Sequence, residues 1–210
     1  MGSMALEELQ VDPENEKIPD AIDVFLLEAD RRCDEFFDTA LHKKMPRFLP
    51  ADYTLVYRAI RTLQKNYELL GNRFCEWGSG LGTATCLASF AGLDACGIEI
   101  QPELVNRSRK LAKDFDLSAS FIEGSFLPEG FDFLATQGGQ ELATPPRSRH
   151  DSIHYPDTDW ELSDIDLFYA YPWPEEQEST LKLFDTVATE GAYLICYFGD
   201  GELCIYRKKD

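Results

Sequence analysis

Three glycines two residues apart, Gly78, Gly80 and Gly82, follow the apolar run Phe74-Cys75-Glu76-Trp77, with Ser79 and Leu81 between them. Glycines at this spacing let a backbone turn sharply after a strand and come close to a ligand. The helix that follows then points its N-terminus at whatever the turn holds. A second strand-like run ends in Gly97-Ile98-Glu99-Ile100. A carboxylate at that end, Glu99, is placed to accept hydrogen bonds from two ribose hydroxyls. Strand, glycine turn, helix and second strand together describe a unit that cradles a nucleotide.

The detail around the glycines separates the possible ligands. Dinucleotide sites use Gly-x-Gly-x-x-Gly, with a pyrophosphate on the helix dipole. Here the third glycine, Gly82, comes one residue early, and Thr83 stands where that pattern wants glycine. Glu76, just before the turn, would repel a pyrophosphate but pair with an ammonium group. Glu-x-Gly-x-Gly-x-Gly, followed by a strand ending in Gly-Ile-Glu, resembles the first motif and the later acid of class I S-adenosylmethionine-dependent methyltransferases. The resemblance implies that Glu76 lies near the cofactor's methionine amino group and Glu99 binds its ribose. It makes Gly78, Ser79, Gly80, Gly82 and Ile100 cofactor contacts as well. After the third strand, Ser125 and Phe126 occupy the place where members often carry Asp or Asn near the adenine, so Ser125 is expected to hydrogen-bond the ring and Phe126 to stack on it. Tyr53 and Tyr57 precede the motif, as aromatics often do in this family where a hydroxyl touches the methionine carboxylate. The segment Gly97 to Arg109 is also similar to small mitochondrial and non-SET lysine methyltransferases.

Methyl transfer demands little beyond placing the acceptor near the methyl carbon, excluding water and, where needed, removing a proton. The best place for this is the end of the fourth strand, Asp164 to Pro174, where Asp166, Tyr169, Tyr171 and Trp173 are the catalytic candidates. Many members that methylate base or amide nitrogens carry Asn or Asp, two prolines and an aromatic there. This chain has Ala170, Tyr171, Pro172 and Trp173, and the loss of the hydrogen-bonding residue speaks against base or glutamine methylation. The aromatics could cage an alkylammonium, form an apolar pocket or cover the core at a sheet edge. Asp166 could be a general base or a structural aspartate. Glu175, Glu176 and Glu178 suit a helix N-terminus, or form an acidic rim for a basic substrate. His150 and His154 lie among prolines, where four-residue spacing does not bring two side chains together, so no metal is expected. No Ser-His-Asp pattern is present.

The formal charge is -18. Residues 1–45 carry -7 and residues 151–185 carry -9, while the segments 46–150 and 186–210 carry -1 each. Polyanions need a positive surface for counterion release, so nucleic acid is not expected as a partner; a small molecule or a protein side chain such as lysine is. No apolar run is long enough to cross a bilayer, so no membrane partner is expected. Six cysteines without a Cys-x-x-Cys pair read as buried free thiols in a reducing, cytoplasmic compartment. Met1-Gly2-Ser3 reads as a foreign leader before a natural start at Met4.

The elements that must position these residues alternate in type. Residues 1–45 are predicted as an acidic helical extension, frayed to about residue 17 and helical from Pro19 to Lys44, whose outer face could serve as a lid or a homodimer contact. Residues 46–210 are predicted as the Rossmann-like S-adenosylmethionine-binding domain. After the connector Met45 to Pro50, helices are expected at Asp52 to Leu70, Gly82 to Ala91, Pro102 to Phe115 and Glu175 to Ala188. Strands are expected at Arg73 to Trp77, Ala95 to Ile100, Ala119 to Glu123, Ile165 to Ala170, Ala192 to Phe198 and Leu203 to Arg207. Leu127 to Ser163 is too long for an ordinary connection and is expected to carry function or to move. The pattern implies an α/β fold with a doubly wound, mostly parallel sheet, helices on both faces and an antiparallel last strand. The expected activity is methyl transfer from S-adenosyl-L-methionine to an unidentified acceptor, with a nicotinamide-dependent oxidoreductase or a non-catalytic binding module as alternatives.

Overall fold

A computed structural model describes residues 4–13, 16–45, 47–128 and 160–210. Seven strands form one sheet in the order β1-β7-β6-β5-β2-β3-β4. In chain order they are β1 (Leu6–Leu9), β2 (Arg73–Trp77), β3 (Asp94–Glu99), β4 (Ser120–Glu123), β5 (Leu167–Ala170), β6 (Tyr193–Gly199) and β7 (Glu202–Lys208). The five central strands, β6 to β4, are parallel, and β7 is antiparallel to both β6 and β1. The order reverses at β2, which lies between β5 and β3. That switch point leaves a crevice at the strands' carboxyl ends, where a doubly wound sheet binds its ligand.

Among the described residues five α-helices cover the sheet: α1 (Asp20–Asp38), α2 (Tyr53–Asn66), α3 (Thr83–Phe90), α4 (Pro102–Asp114) and α5 (Gln177–Val187). Asp52 starts α2 by accepting the Leu55 N–H at 3.0 Å, and the helix turns Val56, Ala59, Ile60 and Leu63 onto one face of the sheet. There they meet Phe74, Leu167, Tyr193 and Ile195. Leu183, Phe184 and Val187 of α5 cover the other face, against Phe168, Leu194 and Cys196. Pro102 occupies the first turn of α4, where its missing N–H has no partner to lose.

Residues 6–9, within the stretch expected to be frayed, form a paired strand. Leu6–Leu9 pairs along β7, and the Lys209 N–H bonds to the Ala5 carbonyl at 2.7 Å. This strand covers what would otherwise be an exposed sheet edge. Ile22, Phe25 and Ala29 of α1 pack against Tyr57, Cys86, Leu87 and Val105, so the N-terminal region shares the core of the rest. All six cysteines are free thiols, four of them buried.

Candidate active site

A pocket with a volume of about 400 Å³ lies at the carboxyl ends of the five parallel strands. Trp77 to Gly80 contribute from β2, Glu99 and Ile100 from β3, and Ser125 and Phe126 from beyond β4. Tyr169 to Trp173 contribute from β5 and Phe198 to Asp200 from β6.

The glycine turn is built as the sequence implies. The Gly78 and Ser79 N–H groups both donate to the Ile98 carbonyl at 2.9 Å, fastening the turn to β3. Gly80 has φ +53° and Gly82 φ +79°, backbone that side chains other than glycine rarely adopt. A Cβ on Gly82 would lie 2.4 Å from Ser108 Cβ and 2.6 Å from the Phe121 ring, so this glycine also lets α3 close onto α4 and β4. A Cβ on Gly80 would lie 2.6 Å from the Phe48 ring, which folds over the turn from the connector between α1 and α2.

Two carboxylates flank the turn. Glu76 is buried on β2, and its Oε2 accepts both the Thr85 N–H, at 2.8 Å, and the Thr85 hydroxyl. Burial pushes its pKa up to about 8 despite the two bonds from Thr85. Glu99 accepts the Gly80 N–H through Oε2 and the Gln101 N–H through Oε1, both at 2.9 Å. Burial raises its pKa as well, opposed by those backbone donors. Glu99 therefore braces the turn that it flanks.

Around Glu76 stand hydroxyls. Tyr53, the first residue of α2, lines the pocket and hydrogen-bonds Thr83, the residue that replaces the dinucleotide glycine. Tyr57, one turn on, is in the core instead. The Tyr169 and Ser79 hydroxyls are buried without a hydrogen-bond partner, and both residues line the pocket. Burial, Glu76 and Tyr53 hold the Tyr169 phenol neutral, as a donor rather than a base. Ser125 Oγ accepts the Leu127 N–H at 3.1 Å, and Phe126 stacks on Trp77 with ring centroids 5.8 Å apart.

The structure does not bring Asp166 to this pocket. Asp166 precedes β5 at the amino edge of the sheet, roughly 13 Å along the strand from Ala170. Its Oδ2 accepts the Arg73 N–H at 2.9 Å, a bond that fixes how β5 starts beside β2. Tyr169, Tyr171 and Trp173 do line the pocket. Tyr171 packs edge-on against Tyr197, with centroids 4.8 Å apart. Glu176 lines it too, whereas Glu175 and Glu178 do not.

Among the contributors that sequence reasoning missed are Trp77, residues of the connector between Lys44 and Leu49, and the turn Gly199-Asp200. Asp200 has φ +51°, and its place between two glycines in a hairpin turn was the available signal. The prolines around Arg47 and Phe48 read only as a linker. Among the described residues no group of His, Cys, Asp and Glu could hold a metal. His150, His154 and most of the long segment after Leu127 lie outside the described residues.

No family model and no curated protein matches the sequence. Solved structures do resemble the fold. An RNA methyltransferase from Salinibacter ruber in complex with S-adenosyl-L-homocysteine has a TM-score of 0.50 and 18% identity, covering 76% of this chain and 92% of that one. A methyltransferase from Geobacter sulfurreducens has a TM-score of 0.49 and 15% identity, covering 92% and 93%. The protein has the Rossmann-like class I methyltransferase fold.

Proposed function

We propose that the protein is an S-adenosylmethionine-dependent methyltransferase. The observation that carries this reading is the convergence of Glu76, Gly78 to Gly80 and Glu99 on one pocket whose far wall is the end of β5, with Gly82, an expected cofactor contact, packed instead against Ser108 and Phe121. The donor set fits the cofactor in three ways. A desolvated carboxylate, Glu76, awaits an ammonium; a turn with no side chain at Gly78, where a Cβ would meet nothing within 4 Å, leaves backbone for close approach; and the buried Tyr169 and Ser79 hydroxyls have no partner. Glu76 with Tyr53 and Tyr169 would hold the methionine end, Glu99 the ribose, and Ser125 with Phe126 the adenine.

The chemistry such a cofactor supplies when bound is a methyl group already activated by a sulfonium. The chain's task is then to orient an acceptor, and to keep water out with Trp77, Tyr171 and Trp173. Positioning of this kind can supply several kcal/mol of barrier lowering. The acceptor is read as a small molecule or a protein side chain, since the net charge of -18 disfavours a polyanion. The Salinibacter protein's action on RNA is not carried over at 18% identity.

Thermal denaturation with S-adenosylhomocysteine and with NAD tests the reading. Stabilisation by the first alone supports it, and stabilisation by NAD alone refutes it. A tritiated-methyl transfer screen on cell extract, read separately for protein and small-molecule fractions, separates an enzyme from a pure binder.

A further inference from the structure

Arg47 reaches from the connector between α1 and α2 to the far side of the pocket. Its guanidinium carbon lies 5.4 Å from the centroid of the Trp173 ring. The same group pairs with the Glu176 carboxylate and stands 4.0 Å from Glu175. Ring and acid together form a seat for a cation.

The two sides of this contact differ. Trp173 and Glu176 belong to the turn that leads out of β5 into α5, and the Glu176 Oε2 accepts the Trp173 N–H at 3.4 Å, so the seat is held together from within. Glu176 is only 8% exposed, and burial raises its pKa in opposition to Arg47. The Arg47 side chain is 34% exposed and comes from an irregular segment. A fixed, desolvated acid is costly without a cation, whichever cation fills it. The segment that fills it also lays Phe48 over Gly80, so one stretch of chain covers both the cradle and the seat.

We propose that Trp173 and Glu176 form the anchoring seat for the methyl acceptor, that Arg47 fills it while the acceptor is absent, and that the acceptor therefore carries a guanidinium or alkylammonium group. This rests on the methyltransferase reading. The seat stabilises the charged form, and a protonated nitrogen has no lone pair to offer. Anchoring and methylation thus fall on different atoms of the acceptor, and Arg47 becomes an internal competitor.

The test uses n-butylguanidinium, n-butylammonium and neutral n-butanol as probes, with calorimetry on the native chain and on Arg47→Ala, and S-adenosylhomocysteine binding measured on each protein. The two cations should bind Arg47→Ala about tenfold or more tighter than the native chain, and butanol should show no such gain. Adding Trp173→Ala or Glu176→Gln to Arg47→Ala should remove the gain. Arg47→Gln, which keeps most of the stem, is the second variant and should show the same tightening should Arg47→Ala fold poorly. Equal cation affinity in native and variant chains that still bind S-adenosylhomocysteine overturns the seat and leaves the methyltransferase reading standing. A lower melting temperature for both variants with no gain in cation affinity marks Arg47 as a strap only and also overturns it. Loss of S-adenosylhomocysteine binding by the native chain removes the underlying reading instead.

Discussion

Glu76 on β2 and Tyr169 on β5 are direct register partners across adjacent parallel strands, so both side chains leave the sheet on the same face. That face carries α2, and through it Tyr53. The arrangement puts an acid and a phenol, both neutral when buried, side by side under the glycine turn, and charge enters only with a ligand.

A proton should therefore leave when the ligand binds. With its pKa near 8 in the free protein, Glu76 holds a proton at neutral pH, whereas pairing with an ammonium requires the carboxylate. Affinity for S-adenosylhomocysteine should rise about tenfold per pH unit up to roughly pH 8 and then level off. Calorimetry in buffers of different ionisation enthalpy should show nearly one proton released at pH 7, and Glu76→Gln should abolish both effects. Without ligand, the same raised pKa favours the fold while Glu76 is protonated. That contribution is complete below the ordinary carboxylate range and is lost as pH rises through about 8, so the ligand-free melting temperature should fall over that window.

The unpartnered Tyr169 hydroxyl should matter to the ligand and not to the fold. Tyr169→Phe removes a buried donor that nothing in the protein satisfies, so stability should hold or rise slightly. S-adenosylhomocysteine affinity should fall about five- to tenfold, the worth of one hydrogen bond. Denaturant unfolding and calorimetry on the same preparation check the pair.

Replacing Glu99 by Ala should cost about 1.5–3 kcal/mol of cofactor affinity, ten- to hundredfold, since the bonds lost involve a charged acceptor. Because Glu99 also accepts the Gly80 and Gln101 N–H groups, the variant should in addition unfold at lower denaturant. An unchanged dissociation constant would refute the ribose role.

Gly80→Val combines two insults, a branched residue at φ +53° and a collision with Phe48. S-adenosylhomocysteine binding should disappear while the circular dichroism spectrum stays close to native. Adding Phe48→Ala relieves the collision but not the backbone strain, so affinity should return only in part.

Asp166→Ala should behave as a structural lesion. Leaving the Arg73 N–H without its acceptor should lower stability by about 1–3 kcal/mol and leave cofactor affinity unchanged in the folded fraction. A selective loss of turnover without loss of stability would restore Asp166 as a catalytic candidate.

The cradle was legible because glycine spacing, a preceding acid and a following acid each have a separate physical meaning, and β2, α3 and β3 fall within a residue or two of their expected bounds. The strand β1 was not legible. Leu6 and Leu9 are three apart and emerge on opposite faces of the sheet edge, one in each core, so the segment lacks the alternation that marks a strand. Asp166 was misplaced because alternation tells which face a side chain takes but not which end of the strand meets the ligand. Helix α2 stops at Asn66, short of the expected Leu70, where Tyr67 turns extended and packs on Tyr193, a tertiary contact that local pattern does not encode. Arg47 was missed for a related reason: its partners Trp173 and Glu176 lie more than a hundred residues away in sequence.

The pairing of β1 with β7 has a practical bearing on handling. Leu6 faces Lys208, and Ala5 bonds Lys209, at the amino edge of the parallel strands, whereas the pocket opens at their carboxyl edge. A group attached beside Ala5 or Lys209 is thus carried on the side away from ligand entry. Ala5 and Lys209 are joined by a hydrogen bond on that side, so a label placed at either residue leaves the cradle facing open solution.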